Sequence, residues 1–373
     1  MAEVDEALER AARAVVDPVL FHSLDELGTL LEVSAAGEGI VVRVGEPLEE
    51  YPARGELAAR LAVATGKSPE AITLEIVAMD DAARTALAAR LRSLEPPSGS
   101  AEGASVRTSG FAARASRTRV LAISSGKGGV GKSTVTVNLG VALARAGQRV
   151  GLLDADVYGF SVPRMLGIAY PPVLVDKVIV PPVGYGVRCI SMGLFVDEDK
   201  AVAWRGPMLH KALEQFLVDV HWGELDYLLV DMPPGTGDVA LSVGEQLPGA
   251  ELYVVTTPQP AAQRIAQRAG ALGRQLRMPV RGVIENMSYL QVPDGTRLQV
   301  FGSGGGELLA SSLNVALLAS IPLDVAVREG ADEGRPAVAV DAEGPVAQAF
   351  EQLAAKIIST GPARVYRREL SVS

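Results

Sequence analysis

The sequence predicts an α/β protein with a doubly wound, mostly parallel sheet, preceded by a small α+β domain. Three observations lead there. From Val120 onward, short apolar runs alternate with helically spaced segments, the pattern of parallel strands joined by crossover helices. Between the first such strand and the first such helix lies G-K-G-G-V-G-K-S-T, Gly126 to Thr134, placing a glycine-rich loop at a strand's carboxyl end, where open sheets of this class bind ligands. Ahead of them, Pro96 to Ser105 reads P-P-S-G-S-A-E-G-A-S, the composition of a flexible linker between two bodies.

In chain order, Val4 to Val16 carries helical spacing and Leu27 to Val44 holds two strand-like runs broken at Gly37 and Gly39. Glu56 to Thr65 is helical and Ile72 to Val77 extended, which makes residues 1–95 a small α+β domain. The linker covers 96–117, the larger domain 118–362 and a tail 363–373. Within the larger domain, Val120 to Ser124 is a strand. Val135, Leu139, Leu143 and Ala146 then recur at helical spacing before Gly147 at the C-cap, and Arg149 to Leu153 is the next strand. Further strand cores are Tyr227 to Val230, Leu252 to Thr256, Val280 to Ile284 and Leu317 to Ile321.

With 373 residues, 48% of them apolar, the chain has material for two buried cores. No apolar run reaches bilayer length and the acidic N-terminus has no signal-peptide core, so the expected location is cytoplasmic with no membrane partner. The single cysteine, Cys189, excludes an intramolecular disulfide and fits a reducing compartment. Residues 1–95 hold 18 acidic and 9 basic side chains, which argues against a nonspecific grip on nucleic acid. Arg107, Arg114, Arg117 and Arg119 are too spread out for a dense basic run and read as a solvated tether.

A loop of the form G-x-x-x-x-G-K-[ST] turns its backbone N–H groups around a polyphosphate, and a Cβ would block that approach. Gly126, Gly128, Gly129 and Gly131 meet the need, and the cradle runs from Gly126 through Val130 to Thr134. Lys132 is placed for the β and γ phosphates and Ser133 for Mg²⁺, with the following helix aiming its positive end at the anion. Lys127 is surplus to this chemistry. Asp231 ends the strand Tyr227 to Val230 and is the candidate metal carboxylate; it opens D-M-P-P-G-T-G-D, in which Gly235 offers its N–H to a γ-phosphate. Asp154 and Asp156, two apart in L-L-D-A-D, share one face of an extended chain. Either can orient the attacking water, and Asp156 is the preferred candidate.

These residues resemble the Mrp/ApbC family of P-loop ATPases, within the class that includes the MinD, ParA, ArsA and nitrogenase iron proteins. The likeness extends in order through S-G-K-G-G-V-G-K-S-T, L-L-D-A-D-V-Y-G, W-R-G-P-M from Trp204, W-G-E-L-D-Y-L-L-V-D-M-P-P-G-T-G-D from Trp222, T-T-P-Q from Thr256, E-N-M-S from Glu285 and I-P-L-D from Ile321. The resemblance implies a P-loop NTPase sheet, hydrolysis of ATP with Mg²⁺, and catalytic roles for Lys127, Lys132 and Asp156. It implies a homodimer in which Lys127 reaches the partner's nucleotide, adenine recognition by Asn286, and closure over the base by the loop after Pro322. It also implies a [4Fe–4S] cluster passed to apo iron–sulfur proteins or exchanged with assembly factors.

Two departures bear on that last implication. V-V-D-P-V-L from Val15 and H-S-L-D-E-L-G from His22 resemble the small iron–sulfur assembly domain often fused ahead of such ATPases, but its usual Cys-Pro pair is Tyr51-Pro52 here. Typical members also carry C-x-x-C after E-N-M-S, and this chain reads Y-L-Q-V-P-D-G-T-R-L-Q-V from Tyr289. Cys189 reads as a buried apolar residue, and His22, His210 and His221 lack metal-ligand spacing. The alternative is a nucleotide-switched, ParA/MinD-like interaction protein that controls partner binding without a cluster. Redox work like that of the nitrogenase iron protein is disfavoured by the missing thiolates. Phe350, Leu353 and Ile357 form a helical stripe expected to dock on its own domain, and Gly302 to Gly306 is expected to be a mobile turn rather than a second anion site.

Overall fold

The computed structural model describes residues 6–37, 39–47, 51–94, 110–112, 116–156, 159–195, 206–235, 237–259, 262–292 and 294–362. Most of the 96–117 linker, the tail 363–373, Arg107, Arg114 and Trp204 lie outside the described residues. The chain divides into two compact units. One comprises residues 1–97, 170–183 and 219–224, the other 98–169, 184–218 and 225–373.

The first unit is built on a three-stranded sheet in which Gly39–Glu46 is central, antiparallel to Leu30–Ala36 and parallel to Ile72–Ala78. The helices Glu6–Arg13, Arg54–Thr65 and Asp81–Leu94 accompany it. Leu57, Leu61, Leu87 and Leu91, at helical i, i+4 spacing, bury against Ile40, Val42 and Val44, which alternate along the central strand. A hairpin from the later sequence, Val173–Val175 paired with Val178–Val180, adds four valines to this core. Arg92 pairs with Asp176 at the hairpin turn, 3.1 Å apart.

Inside this unit, Asp17 and Glu46 are fully buried, and Tyr51 Oη donates to Asp17 Oδ1 at 2.8 Å. Tyr51, of the Tyr51-Pro52 pair, is thus a buried, hydrogen-bonded phenol. Burial, then the neighbouring Asp17, pushes the Glu46 carboxyl well above its ordinary 4.5. A protonated Glu46 has a donor to offer the neighbouring Asp17, whose Oδ2 otherwise has none. Because the folded value is raised, this contribution to stability is fully present below pH 4.5 and lost as pH rises through the folded value. Each such proton changes stability by at most about 1.4 kcal/mol per pH unit. Denaturant midpoints of the full chain measured at rising pH are expected to fall, and Glu46→Gln, which keeps an N–H donor without an ionisation, is expected to flatten the profile. Parallel profiles for the two proteins would refute the shared proton.

The second unit carries the large sheet, with strands in the order Ala316–Ser320, Val280–Glu285, Glu251–Thr256, Arg119–Ser125, Tyr227–Asp231, Val150–Asp154 and Val187–Ser191, followed by Val183–Gly184 at the edge. The first seven pair in parallel. This is the doubly wound sheet expected from the alternation, with one addition. Arg119–Ser125 and Val150–Asp154, successive in sequence, are separated in the sheet by Tyr227–Asp231. That insertion brings Asp231 beside the phosphate loop. The helix Lys132–Arg145 is buried along most of its length and shares a core with Phe350, Leu353 and Ile357 of Pro345–Thr360, so the C-terminal stripe docks on its own domain.

Arg119 departs from the tether reading. It is the first residue of its strand, 7% exposed, with Nε and Nη2 donating to Glu251 Oε2 at 3.1 and 2.8 Å and Nη2 also donating to Tyr253 Oη. Its side chain is drawn inward by a buried carboxylate that composition alone did not reveal. The end of the stretch Gly302 to Gly306 opens the helix Gly305–Leu313 and is packed. Gly306 N–H donates to Glu285 Oε2 at 2.7 Å, and a Cβ on Gly305 would sit 2.6 Å from the Pro258 carbonyl oxygen. Among the described residues, no helix is long and apolar enough to cross a membrane.

Candidate functional site

The sheet register assembles the site. Asp231 lies opposite Ile123 of the loop strand on one side and Asp154 on the other, and Asp154 lies opposite Ser191. Three strand ends therefore present Asp231, Asp154 and Ser191 side by side beneath the loop. The loop leaves its strand at Gly126 and enters the helix at Lys132, with Gly129 and Gly131 both at φ +77°. Those left-handed positions favour glycine, and a Cβ on Gly131 would also collide with the Asn286 amide.

Lys132 is 7% exposed, and its ammonium donates to Asp231 Oδ2 at 2.6 Å. Ser133 Oγ donates to the same oxygen at 2.7 Å, and Lys132 Nζ lies 3.3 Å from Ser133 Oγ. Asp156 Oδ2 stands 3.7 Å from Lys132 Nζ. The structure thus gathers Lys132, Ser133, Asp231 and Asp156 around one point at the carboxyl end of the sheet. Thr136, one helical turn after Lys132, joins them through a 2.7 Å bond to Asp231 Oδ1. The motif did not single it out; its i+4 spacing from Lys132 is the signal that places it on the same helix face.

The two acids of L-L-D-A-D differ in setting. Asp154 is buried, accepting from Ser191 Oγ at 2.9 Å and from the Asp156 N–H at 3.1 Å. Burial, then the adjacent Asp231, pushes its carboxyl up to about 7. Asp156 is more open, with 13% of its side chain accessible.

Lys127 points elsewhere. It is exposed, with its ammonium 3.3 Å from Gln259 Oε1. Together with Ser124, Gly126, Gly128, Gly235 and Arg268 it lines a cleft of about 360 Å³. Gly235 adopts φ +88° in that cleft. Asn286 is buried behind the loop, its Nδ2 donating to the Val130 carbonyl at 3.0 Å, while Ser288 N–H donates to the Ile321 carbonyl just before Pro322. The Thr134 carbonyl accepts from Asn138 Nδ2, so that part of the helix is tied by side chains as well as backbone.

Cys189 lies in the strand Val187–Ser191, fully buried, and burial followed by Asp154 and Asp231 pushes its thiol well up. Among the described residues, no group of three or more His, Cys, Asp or Glu side chains is placed to hold a metal ion. His22 and His221 have ring centroids 5.2 Å apart in the first unit, and His210 Nδ1 lies 3.1 Å from Ser242 Oγ in the second. The stretch after E-N-M-S folds into a hairpin, Leu290–Gln291 with Arg297–Leu298, with the Arg297 guanidinium 4.3 Å over the Tyr289 ring.

The family model for the ParA-type NUBPL iron-transfer P-loop NTPases matches residues 116–358. The chain belongs to this family. An iron–sulfur cluster carrier protein of Mycobacterium leprae is 43% identical over 362 residues, covering 95% of this chain and 92% of that protein. A carrier protein of Deinococcus radiodurans is 41% identical over 354 residues, 94% of each chain. Among solved structures, the nucleotide-binding protein of Archaeoglobus fulgidus in complex with ADP aligns with a TM-score of 0.53 at 33% identity, covering 62% of this chain and 91% of that one. The chain is therefore a nucleotide-hydrolysing P-loop enzyme, and the Mrp/ApbC resemblance read from its motifs holds.

Proposed function

We propose that the protein is a cytoplasmic, homodimeric Mg²⁺-dependent ATPase that serves apo iron–sulfur proteins or their assembly factors. The observation that carries this reading is the convergence of Lys132 and Ser133 on one carboxylate oxygen of Asp231, in a chain similar to carrier proteins over almost its whole length.

The donor set suits the metal: one carboxylate and one hydroxyl oxygen, both hard ligands, leave room for water and phosphate oxygens. Ser133 Oγ and Asp231 Oδ2 would hold Mg²⁺, which would supply neutralisation of the phosphate charge. The chain's own residues do the rest. The backbone N–H groups from Gly126 to Thr134 and the helix N-terminus bind the polyphosphate. Lys132 leaves Asp231 for the β and γ phosphates, freeing Asp231 Oδ2 to hold the metal with Ser133. Gly235 offers its N–H to the γ-phosphate. Asp156, rather than the buried Asp154, orients the attacking water, and the products are ADP and phosphate. Asn286 keeps its Oδ1 and second N–H for the adenine edge, with the loop after Pro322 over the base. Lys127, turned from its own loop's metal site, reaches the nucleotide of the partner subunit.

The cluster is cargo in this scheme, a substrate rather than a resident cofactor. A [4Fe–4S] cluster takes four thiolates. A homodimer of this chain has two thiols, each buried in a strand. This observation favours a second reading in which the ATPase switches partner binding with no cluster on its own cysteines. Anaerobic reconstitution with iron and sulfide separates the two. The carrier reading expects wild type to retain a stoichiometric cluster after desalting, and the switch reading expects none in wild type or in Cys189→Ala. A cluster that persists in Cys189→Ala would establish carriage through non-thiolate ligands, and one lost only in that variant would overturn the inert role of Cys189.

A further inference from the structure

We propose that Thr136 is a positioning residue for Asp231, fixing which carboxylate oxygen faces the metal. The inference rests on the nucleotide reading above and adds a residue that the loop motif does not contain. Thr136 is fully buried on the first turn and a half of the loop helix. Its Oγ1 lies 2.7 Å from Asp231 Oδ1 and 3.0 Å from the Lys132 carbonyl oxygen. A hydroxyl has one proton for these two acceptors. The shorter, charge-assisted bond to the carboxylate takes it. The Lys132 carbonyl is not orphaned, because it lies within the helix and accepts from the backbone. Buried threonines often bond only the carbonyl four residues back. This one reaches past it to a neighbouring strand.

The consequence is a division of labour on one side chain. Oδ1 is held by Thr136, while Oδ2 takes both Lys132 Nζ and Ser133 Oγ. When Lys132 moves to phosphate, Oδ2 is left facing the Ser133 hydroxyl, and the Thr136 bond prevents the carboxylate from turning about its Cβ–Cγ bond. Metal then binds without an ordering step. Outer partners that orient a ligating carboxylate in this way typically change metal affinity by about 10- to 100-fold when removed.

The test is calorimetric binding of ADP to the full-length protein with Mg²⁺ and with chelator, for wild type, Thr136→Val, Thr136→Ala and Thr136→Ser. Wild type is expected to bind ADP more tightly with Mg²⁺. In Thr136→Val that Mg²⁺-dependent gain should shrink by about tenfold or more, with affinity in chelator unchanged, and Thr136→Ser should restore it. Should Thr136→Val fail to fold, Thr136→Ala reads the same loss without the extra methyl. An unaltered Mg²⁺-dependent gain in a folded Val or Ala variant would overturn the role. So would an equal loss with and without Mg²⁺, which marks general damage to the loop. No ADP binding by wild type would instead remove the nucleotide reading itself.

Discussion

Lys132→Ala is expected to reduce ATP turnover by about 10²- to 10³-fold, the usual result of removing one preorganised donor from developing negative charge. Nucleotide affinity should fall with it. The side chain is 7% exposed and committed to Asp231 at 2.6 Å, so its loss also leaves a buried carboxylate that, among the described residues, keeps Ser133 and Thr136 as side-chain partners. Phosphate release and ADP calorimetry measure the two effects. A thermal melt distinguishes them from unfolding, since breaking a buried pair costs about 3–5 kcal/mol. A folded Lys132→Ala protein with wild-type turnover would remove the central claim.

Lys127→Ala is expected to have the opposite profile. Its ammonium is exposed and meets Gln259 rather than Asp231, so the subunit should fold normally and keep nucleotide affinity within a few-fold, surface ion contacts being worth about 0–1 kcal/mol. ATP-dependent dimerisation should disappear, because the missing cation is the one assigned to the partner's nucleotide. Light scattering with ATP and with ADP, alongside calorimetry on the same preparation, reads both quantities. Retained ATP-dependent dimers would refute the role across the interface, and loss of the folded monomer would mark Lys127 as structural.

Most strands of the large sheet were legible because each is a short apolar run between helically spaced segments, and Val120 to Ser124, Tyr227 to Val230 and Leu252 to Thr256 reappear within a residue or two. Local chemistry likewise marked the loop, since closely spaced glycines before a Lys-Ser pair have one common structural use. Asp231 was readable as a strand-end acid. Its partners were not all readable. Thr136 looks like an ordinary helix residue until the neighbouring strand is placed, and Arg119 looks like one of four linker arginines until Glu251 is brought beside it. The hairpin Val173 to Val180 carries nothing in its valines to say that it completes the core of the first unit.

The sequence by itself determined the alternation of elements, the glycine positions that admit phosphate, and the cysteine count that denies this chain four thiolates. These are properties of period, of single-residue sterics and of composition, all of which are local. Only the tertiary structure decided that Tyr227–Asp231 enters between two strands successive in sequence, so that Asp231 meets Lys132, Ser133 and Thr136 while Lys127 faces away. Strand order depends on which apolar faces cover one another across the whole sheet, a nonlocal balance of burial that no single segment encodes.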